Sequence, residues 1–286
     1  MKLDQSQHIL IVGLGLLGGS YAMALKKQGF HVAALARREE TVQYALENGI
    51  IDEGSARIDR DLIGQADLVI FALYPHVFLE WITQNQSYLK SGAILTDVTG
   101  VKGCIVGKIQ SILRPDTEFI AAHPMAGREV CGIENSSDEI FKGANYLVVP
   151  TEKNTPGAIE LCTDLGEKLG FKRVAQLSPA QHDEMIAFLS QLTHCIAVSL
   201  MCCNDTPGME TYTGDSFRDL TRIARINDEM WSELFLDNKQ ALLAQMKRFQ
   251  AEFDNLYHKI ETDDREGIRE MMRCSTERRK RFDKIG

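Results

Sequence analysis

The sequence predicts an α/β protein: a doubly wound, mostly parallel sheet over residues 1–177, then an all-helical domain over residues 178–286. Three observations predict it. Short apolar runs alternate with helix-like segments through the first half, the pattern of a sheet built from strand–helix–strand crossovers. Several of those runs are apolar on both faces, as parallel strands covered by helices on each side must be. Past Ser178 the strand-like runs stop and helical periodicity takes over.

Residues 9–12 form the first apolar run and end in glycine. Residues 20–28 read as a helix stopped by Gly29, since glycine readily takes the left-handed conformation at a helix end. Residues 30–36 are a second apolar run, and 41–47 a helix ended by Gly49. A third strand, 68–73, is entered through Asp67 and left through Pro75. Residues 93–96, 119–122 and 146–149 read as further strands. Ser178-Pro179-Ala180-Gln181 offers serine at the N-cap, proline at N1 and glutamine at N3, which predicts a capping box and a long helix to about Cys203. Residues 204–216 are rich in Gly, Pro, Thr and Asp and read as a loop, and from Phe217 the chain is helical almost to its end. The run Arg278 to Arg281 reads as a solvated, dipole-complementing helix end.

Bulk composition narrows the function. With 44% hydrophobic and 25% charged residues the chain is ordinary globular material. A net charge of −8 argues against nucleic acid as a partner, because phosphate binding needs a basic face. It leaves anionic small molecules open, since one buried arginine outweighs a distant acidic surface. Seven cysteines without a CxxC pair suggest reduced thiols in a cytoplasmic protein. The polar start lacks the features of a signal peptide, and the absence of an unbroken run of about 18 apolar residues predicts no membrane span.

The first chemical motif is Gly13-Leu14-Gly15-Leu16-Leu17-Gly18, a GxGxxG between a predicted strand and a predicted helix. Gly13 suits the tight turn, Gly15 a close backbone approach to a pyrophosphate, and Gly18 close packing of helix on strand. Leu16 and Leu17 would present helix N-terminal N–H groups to the phosphates, and Leu73 at the third strand's end completes the expected cofactor set. Where NAD-binding chains carry an acidic residue after the second strand, this chain has Arg37 and Arg38 before Glu39-Glu40. Two guanidinium groups suit a 2′-phosphate, so the reading favours NADP; NAD stays open if Glu39 holds the ribose.

Three other segments carry chemistry. Asp97-Val98-Thr99-Gly100-Val101-Lys102-Gly103 and His123-Pro124-Met125-Ala126-Gly127-Arg128-Glu129 each follow a predicted strand, where ligands bind in open α/β sheets. The helical half offers Ser190 to His194 and Phe217 to Arg225, leading to Trp231. Taken together, these segments resemble the prephenate and arogenate dehydrogenase family of tyrosine biosynthesis. The likeness rests on His123-Pro-Met-Ala-Gly with Glu129, on the helix bearing His182-Asp183 and His194, and on Thr221-Arg222-Ile223-Ala224 with Trp231.

The resemblance implies a Rossmann-type domain joined to a helical dimerisation domain, a homodimer, and NAD(P)-dependent oxidative decarboxylation of prephenate to 4-hydroxyphenylpyruvate. It implies that His123 hydrogen-bonds the reacting hydroxyl, a task suited to a neutral imidazole near pH 7. It implies that Arg222 grips a substrate carboxylate, as a planar guanidinium does bidentately, and that His194 lines the pocket. Trp231, Glu129 and Asp219 match positions that border or gate it, Asp219 as a residue a partner subunit could lend. Thr99 is the candidate hydroxyl, because many family members carry Gly-Ser where this chain has Thr99-Gly100. Many also carry histidine and proline where Gln191 and Thr193 stand here. No metal site is expected.

Arogenate remains an alternative substrate, with Glu129 a carboxylate for its ammonium group. A β-hydroxyacid dehydrogenase would use a lysine in the helical domain, and residues 178–203 contain none. A non-catalytic nucleotide-binding redox sensor would keep the glycines without needing His123 or Arg222.

Overall fold

In the computed structural model, which describes residues 1–128 and 130–283, the chain runs β1 (Ile9–Val12), α1 (Leu16–Lys27), β2 (Val32–Leu35), α2 (Glu39–Glu47), β3 (Glu53–Ser55), α3 (Arg60–Gln65), β4 (Leu68–Phe71), α4 (Pro75–Asn85), β5 (Ile94–Asp97), α5 (Val106–Ile112) and β6 (Glu118–Phe119). These strands pair all-parallel in the order β3-β2-β1-β4-β5-β6. β1, β2, β4 and β5 are buried at every residue, which is why their sequences alternate so little. Two core layers result. One gathers Tyr21, Leu25, Ile70 and Phe141, the other Phe71, Phe78, Trp81 and Ile109. The strand order reverses between β1 and β4, so a crevice opens at their carboxyl ends.

Residues 119–122, expected as one strand, divide at Ile120. Phe119 pairs with β5, whereas β7 (Ala121–Pro124) enters a second, three-stranded sheet. There it lies antiparallel to β8 (Asn145–Val149), which pairs in parallel with β9 (Arg173–Gln176) across α6 (Pro156–Lys168).

The capping box at Ser178 forms as expected: Gln181 N–H donates to the serine hydroxyl, and Ser178 N–H donates to the glutamine side chain. α7 (Pro179–Ile186) continues through one π turn (Ala187–Gln191) into α8 (Leu192–Cys202). The span Pro179–Cys202 is long and apolar enough, by length and composition alone, to cross a membrane, and 28% of its most apolar stretch is buried within the chain. The sequence expectation concerned an unbroken apolar run of about 18 residues, and Ser190, Gln191, Thr193, His194 and Ser199 interrupt this span. Its charged residues sit near the N-terminal end, and the polar residues beyond them are neutral, so a search for an unbroken apolar run passes over it.

α9 (Asp215–Thr221), a 3₁₀ turn (Arg222–Ala224), α10 (Asp228–Asp237), α11 (Lys239–Glu261) and α12 (Arg265–Lys280) complete the chain. Packing divides it into Met1–Asn238 and Lys239–Gly286. The sheets end at Gln176, close to the expected boundary at 177, but α7 to α10 group with the sheets. In the second unit α11 and α12 pack on each other, with Asp264 capping α12 by accepting the Gly267 N–H at 2.9 Å.

Candidate active site

The glycine run builds a cradle that side chains would fill. Gly13 has φ +103°, and a Cβ there would lie 2.4 Å from the Ala72 carbonyl oxygen after β4. A Cβ on Gly18 would lie 1.9 Å from the Gly13 carbonyl oxygen, so α1 can approach β1 this closely only with glycine. Gly15 is the N-cap of α1 and faces open space. The N–H groups of Leu16, Leu17 and Gly18 in the first turn therefore point where an anion can approach. Leu73 stands beside Gly13, its Cδ2 3.0 Å from where that Cβ would be. Arg37 and Arg38 are exposed between β2 and α2, and neither forms an ion pair among the described residues. These residues fit a dinucleotide: a pyrophosphate on the α1 N-terminus and an adenosine ribose beyond β2.

Beside the cradle, β5 ends in a buried ion pair. Asp97 and Lys102 have no exposed side-chain surface and meet at 2.6 Å. Lys102 Nζ also donates to the Ala122 carbonyl (2.6 Å) and to Thr99 Oγ1 (3.1 Å), while Asp97 accepts from the backbone N–H groups of Thr99 and Ala122. Burial lowers the lysine pKa, and the Asp97 charge opposes that shift. The pair welds the β5 turn to β7. Thr99 belongs to this weld: it is buried, and its hydroxyl is engaged with Asp97, Val101 and Lys102. The next residue, Gly100, borders His123 instead. A Cβ on Gly100 would lie 4.0 Å from His123 Nε2 and 3.6 Å from the Leu234 methyls.

His123 stands in β7, half-buried, its Nδ1 2.9 Å from His182 Nε2. His182 Nδ1 meets Asp183 Oδ1 at 2.7 Å, and Asp183 also accepts the backbone N–H groups of Lys102 (2.9 Å) and Gly103 (2.7 Å). Asn238 donates to the Asp183 carbonyl and to Gln191 Oε1, and Gln191 donates to the Leu234 carbonyl. Burial first, then the neighbouring His182 ring and the Lys102 charge, holds His123 well below the usual imidazole range. His123 is therefore a neutral base at neutral pH. The nearby Cys104 thiol is pushed up to about 12 by burial first and the Asp237 carboxylate next, so it is not a ready nucleophile.

A second group gathers on α8. His194 stacks on Trp231, ring centroids 3.7 Å apart, with its Nδ1 2.8 Å from the Ser190 carbonyl. The π turn explains its direction. His182 and His194 are twelve residues apart, about 120° out of phase on a plain α-helix; absorbing one residue in a π turn brings them within about 20°. Arg222 opens the 3₁₀ turn, which packs along α8. Asp219 is exposed on α9. Glu129 lies outside the described residues.

Sequence reasoning singled out His123, His194, Trp231 and the glycines. It passed over the structural parts played by Asp97, Lys102, Asp183, Gln191 and Asn238. Asp97 and Lys102 lay within a motif already quoted, and their spacing around a turn was the available signal. No sequence signal joins Gln191 to Asn238.

The family model described as "Prephenate dehydrogenase, nucleotide-binding domain" matches residues 21–175, and "Prephenate dehydrogenase, dimerization domain" matches 178–274. The prephenate dehydrogenase of Bacillus subtilis is 30% identical over 272 residues, 91% of this chain and 72% of that protein. The solved structure of Aquifex aeolicus prephenate dehydrogenase with hydroxyphenyl propionate and NAD+ superposes with a TM-score of 0.90 at 30% identity, covering 99% of this chain and 100% of that one. Synechocystis arogenate dehydrogenase superposes with a TM-score of 0.83 at 26% identity, covering 96% and 99%.

Proposed function

The chain belongs to the prephenate dehydrogenase family, and from that premise we propose that it oxidatively decarboxylates prephenate to 4-hydroxyphenylpyruvate, with NADP preferred over NAD. As a member it is a nicotinamide-dependent dehydrogenase. One observation carries the reading: a neutral imidazole, His123, set beside Gly100 at the carboxyl end of β5, in the same compact unit as the dinucleotide cradle.

The bound nicotinamide supplies the hydride acceptor. His123 Nε2 takes the proton of the substrate hydroxyl as its carbon gives up hydride; the ring carboxylate then leaves as CO₂, its bonding pair completing the aromatic ring, and His123 returns the proton to the phenolate oxygen, giving 4-hydroxyphenylpyruvate. No metal is needed for that loss. Arg222 and His194 hold the substrate's carboxylates, with Trp231 fixing the His194 ring by stacking. Thr99 contributes through the Asp97–Lys102 turn. The cradle residues Gly13, Gly15, Leu16, Leu17, Gly18 and Leu73 bind the dinucleotide, and Arg37 and Arg38 meet the 2′-phosphate of NADP. Two copies pair through the helical part.

Initial rates with prephenate and arogenate, each with NADP and NAD, test the reading. The expected outcome is turnover of prephenate, with NADP favoured in kcat/KM. A strong NAD preference would remove the role of Arg37 and Arg38, and no turnover of either substrate would remove the function. His123→Asn should still bind dinucleotide while kcat falls about 10²–10⁴-fold, the usual worth of a general base.

A further inference from the structure

Asp183 is a fixed acceptor. Its Oδ1 takes the Lys102 N–H and lies 2.7 Å from His182 Nδ1, and its Oδ2 takes the Gly103 N–H. An ionised carboxylate only accepts, so the proton at His182 Nδ1 belongs to the histidine. A neutral His182 then presents a lone pair at Nε2. The 2.9 Å contact to His123 Nδ1 requires the proton there to be on His123, which leaves the Nε2 of His123 bare on the Gly100 side.

We propose that His182 and Asp183 are positioning residues that lock His123 in the tautomer with its proton on Nδ1 and its basic Nε2 turned to the substrate hydroxyl. The inference rests on reading the site as that of an alcohol-oxidising dehydrogenase. The opposite tautomer would need an imidazolium at His182, buried against the Lys102 ammonium, and burial holds the His182 pKa below the ordinary imidazole value despite the Asp183 hydrogen bond. Asp97, Lys102 and Asp183 are the charged groups that act on this pair, and the Lys102 charge is matched by Asp97 at 2.6 Å.

The lock is anchored at both ends. Asn238 ties the Asp183 carbonyl to Gln191, and the Lys102–Gly103 backbone ties its carboxylate to the β5 turn. Gly100 makes the lock more important. With no side chain at position 100, no neighbouring hydroxyl there can orient His123 Nε2, although the space would admit one. Orientation falls to the His182 side of the ring. When Nε2 takes the substrate proton, the new imidazolium keeps its Nδ1–H bond to His182, and the Asp183 charge stabilises it through that ring.

The test uses the full chain with ¹⁵N-labelled histidine. A long-range ¹H–¹⁵N spectrum reports the tautomer of each ring, and His123 is assigned by its loss in His123→Asn. The proton is expected on Nδ1; finding it on Nε2 overturns the proposal. His182→Gln keeps an acceptor near the Nε2 position, whereas His182→Met removes it. The glutamine variant should hold kcat within about tenfold of the parent, and the methionine variant should lose about 10²-fold, part of the worth of a general base, with KM within twofold. In the methionine variant the His123 signal should shift to mixed tautomers. Parental kcat and tautomer in that variant overturn the proposal. Should it fail to fold, the parent spectrum and the glutamine variant still decide. If neither prephenate nor arogenate is turned over, the proposed function fails while the tautomer result stands separately.

Discussion

At neutral pH the His123 ring is uncharged, held so by burial first and then by the neighbouring His182 ring and the Lys102 charge. Two pH dependences follow, with different midpoints. In the unfolded chain His123 protonates near its ordinary value of about 6.5, while the folded chain resists. Below that pH the unfolded state binds more protons, so the stabilising contribution is complete above about 6.5 and is lost as pH falls. His182 is lowered too and adds in the same direction. Urea midpoints should therefore fall between pH 7.5 and 5.5, and His123→Asn should flatten part of that slope. The His123 limb of kcat/KM should instead stay level through pH 6.5 and drop only at lower pH; a midpoint at 6.5 would show that burial does not govern the base. His123 was legible in the sequence because it follows a strand and is braced by proline. Its partner His182 was quoted only as part of a resemblance, since a pairing across 59 residues leaves no local pattern. Thr99 drew attention as a hydroxyl, and the fold spends that hydroxyl on Asp97 and Lys102.

The strand–turn–helix that opens the chain separates two roles of glycine that the GxGxxG pattern merges. A methyl on Gly18 would meet backbone at 1.9 Å, whereas one on Gly15 would meet nothing within 4 Å. Gly18→Ala should push α1 off β1, cost about 1–3 kcal/mol by overpacking, and weaken dinucleotide binding as a consequence. Gly15→Ala should leave unfolding within about 0.5 kcal/mol of the parent while still weakening dinucleotide affinity, because its methyl occupies only the space the pyrophosphate needs. Chemical denaturation beside dinucleotide titration separates the two, and unaltered affinity in Gly15→Ala would remove the pyrophosphate from that position. The elements that could be read were those with strong punctuation: glycine after 12 and at 29 and 49, proline at 75, the capping box at 178. β3 and β9 are short and polar, Glu53–Ser55 and Arg173–Gln176, and gain strand geometry only from their neighbours. The break at Ile120 was hidden because an apolar run looks the same whether it stays in one sheet or changes sheets. The π turn has no sequence signature; it shows only in where His194 points.

At the scale of the whole molecule, the helical part leaves large apolar side chains exposed. On α11, Phe253 is 62% exposed, Tyr257 56% and Ile260 59%, at spacings of four and three that place them along one face. Phe188 and Leu220 are more than half exposed on the helical segments before it. Monomeric soluble proteins rarely leave a contiguous apolar stripe like the one on α11 to water. The stretch 178–274, which matches the dimerization-domain model, contains all five residues. A second copy is the simplest cover, since an isologous pair buries the same face twice. Sedimentation equilibrium should give a dimer of 64 kDa, twice the 32.1 kDa chain, and thermal unfolding should shift to higher temperature as protein concentration rises, because association stabilises by mass action. Phe253→Asp puts a charge into that face. If the aromatic is an interface anchor worth about 2 kcal/mol or more, the dimer dissociation constant should rise about 30-fold or more, with Met1–Asn238 still binding dinucleotide. A parent chain that sediments as a monomer at tens of micromolar, with a concentration-independent unfolding temperature, would overturn the pairing, and with it any role for Asp219 in a partner's site.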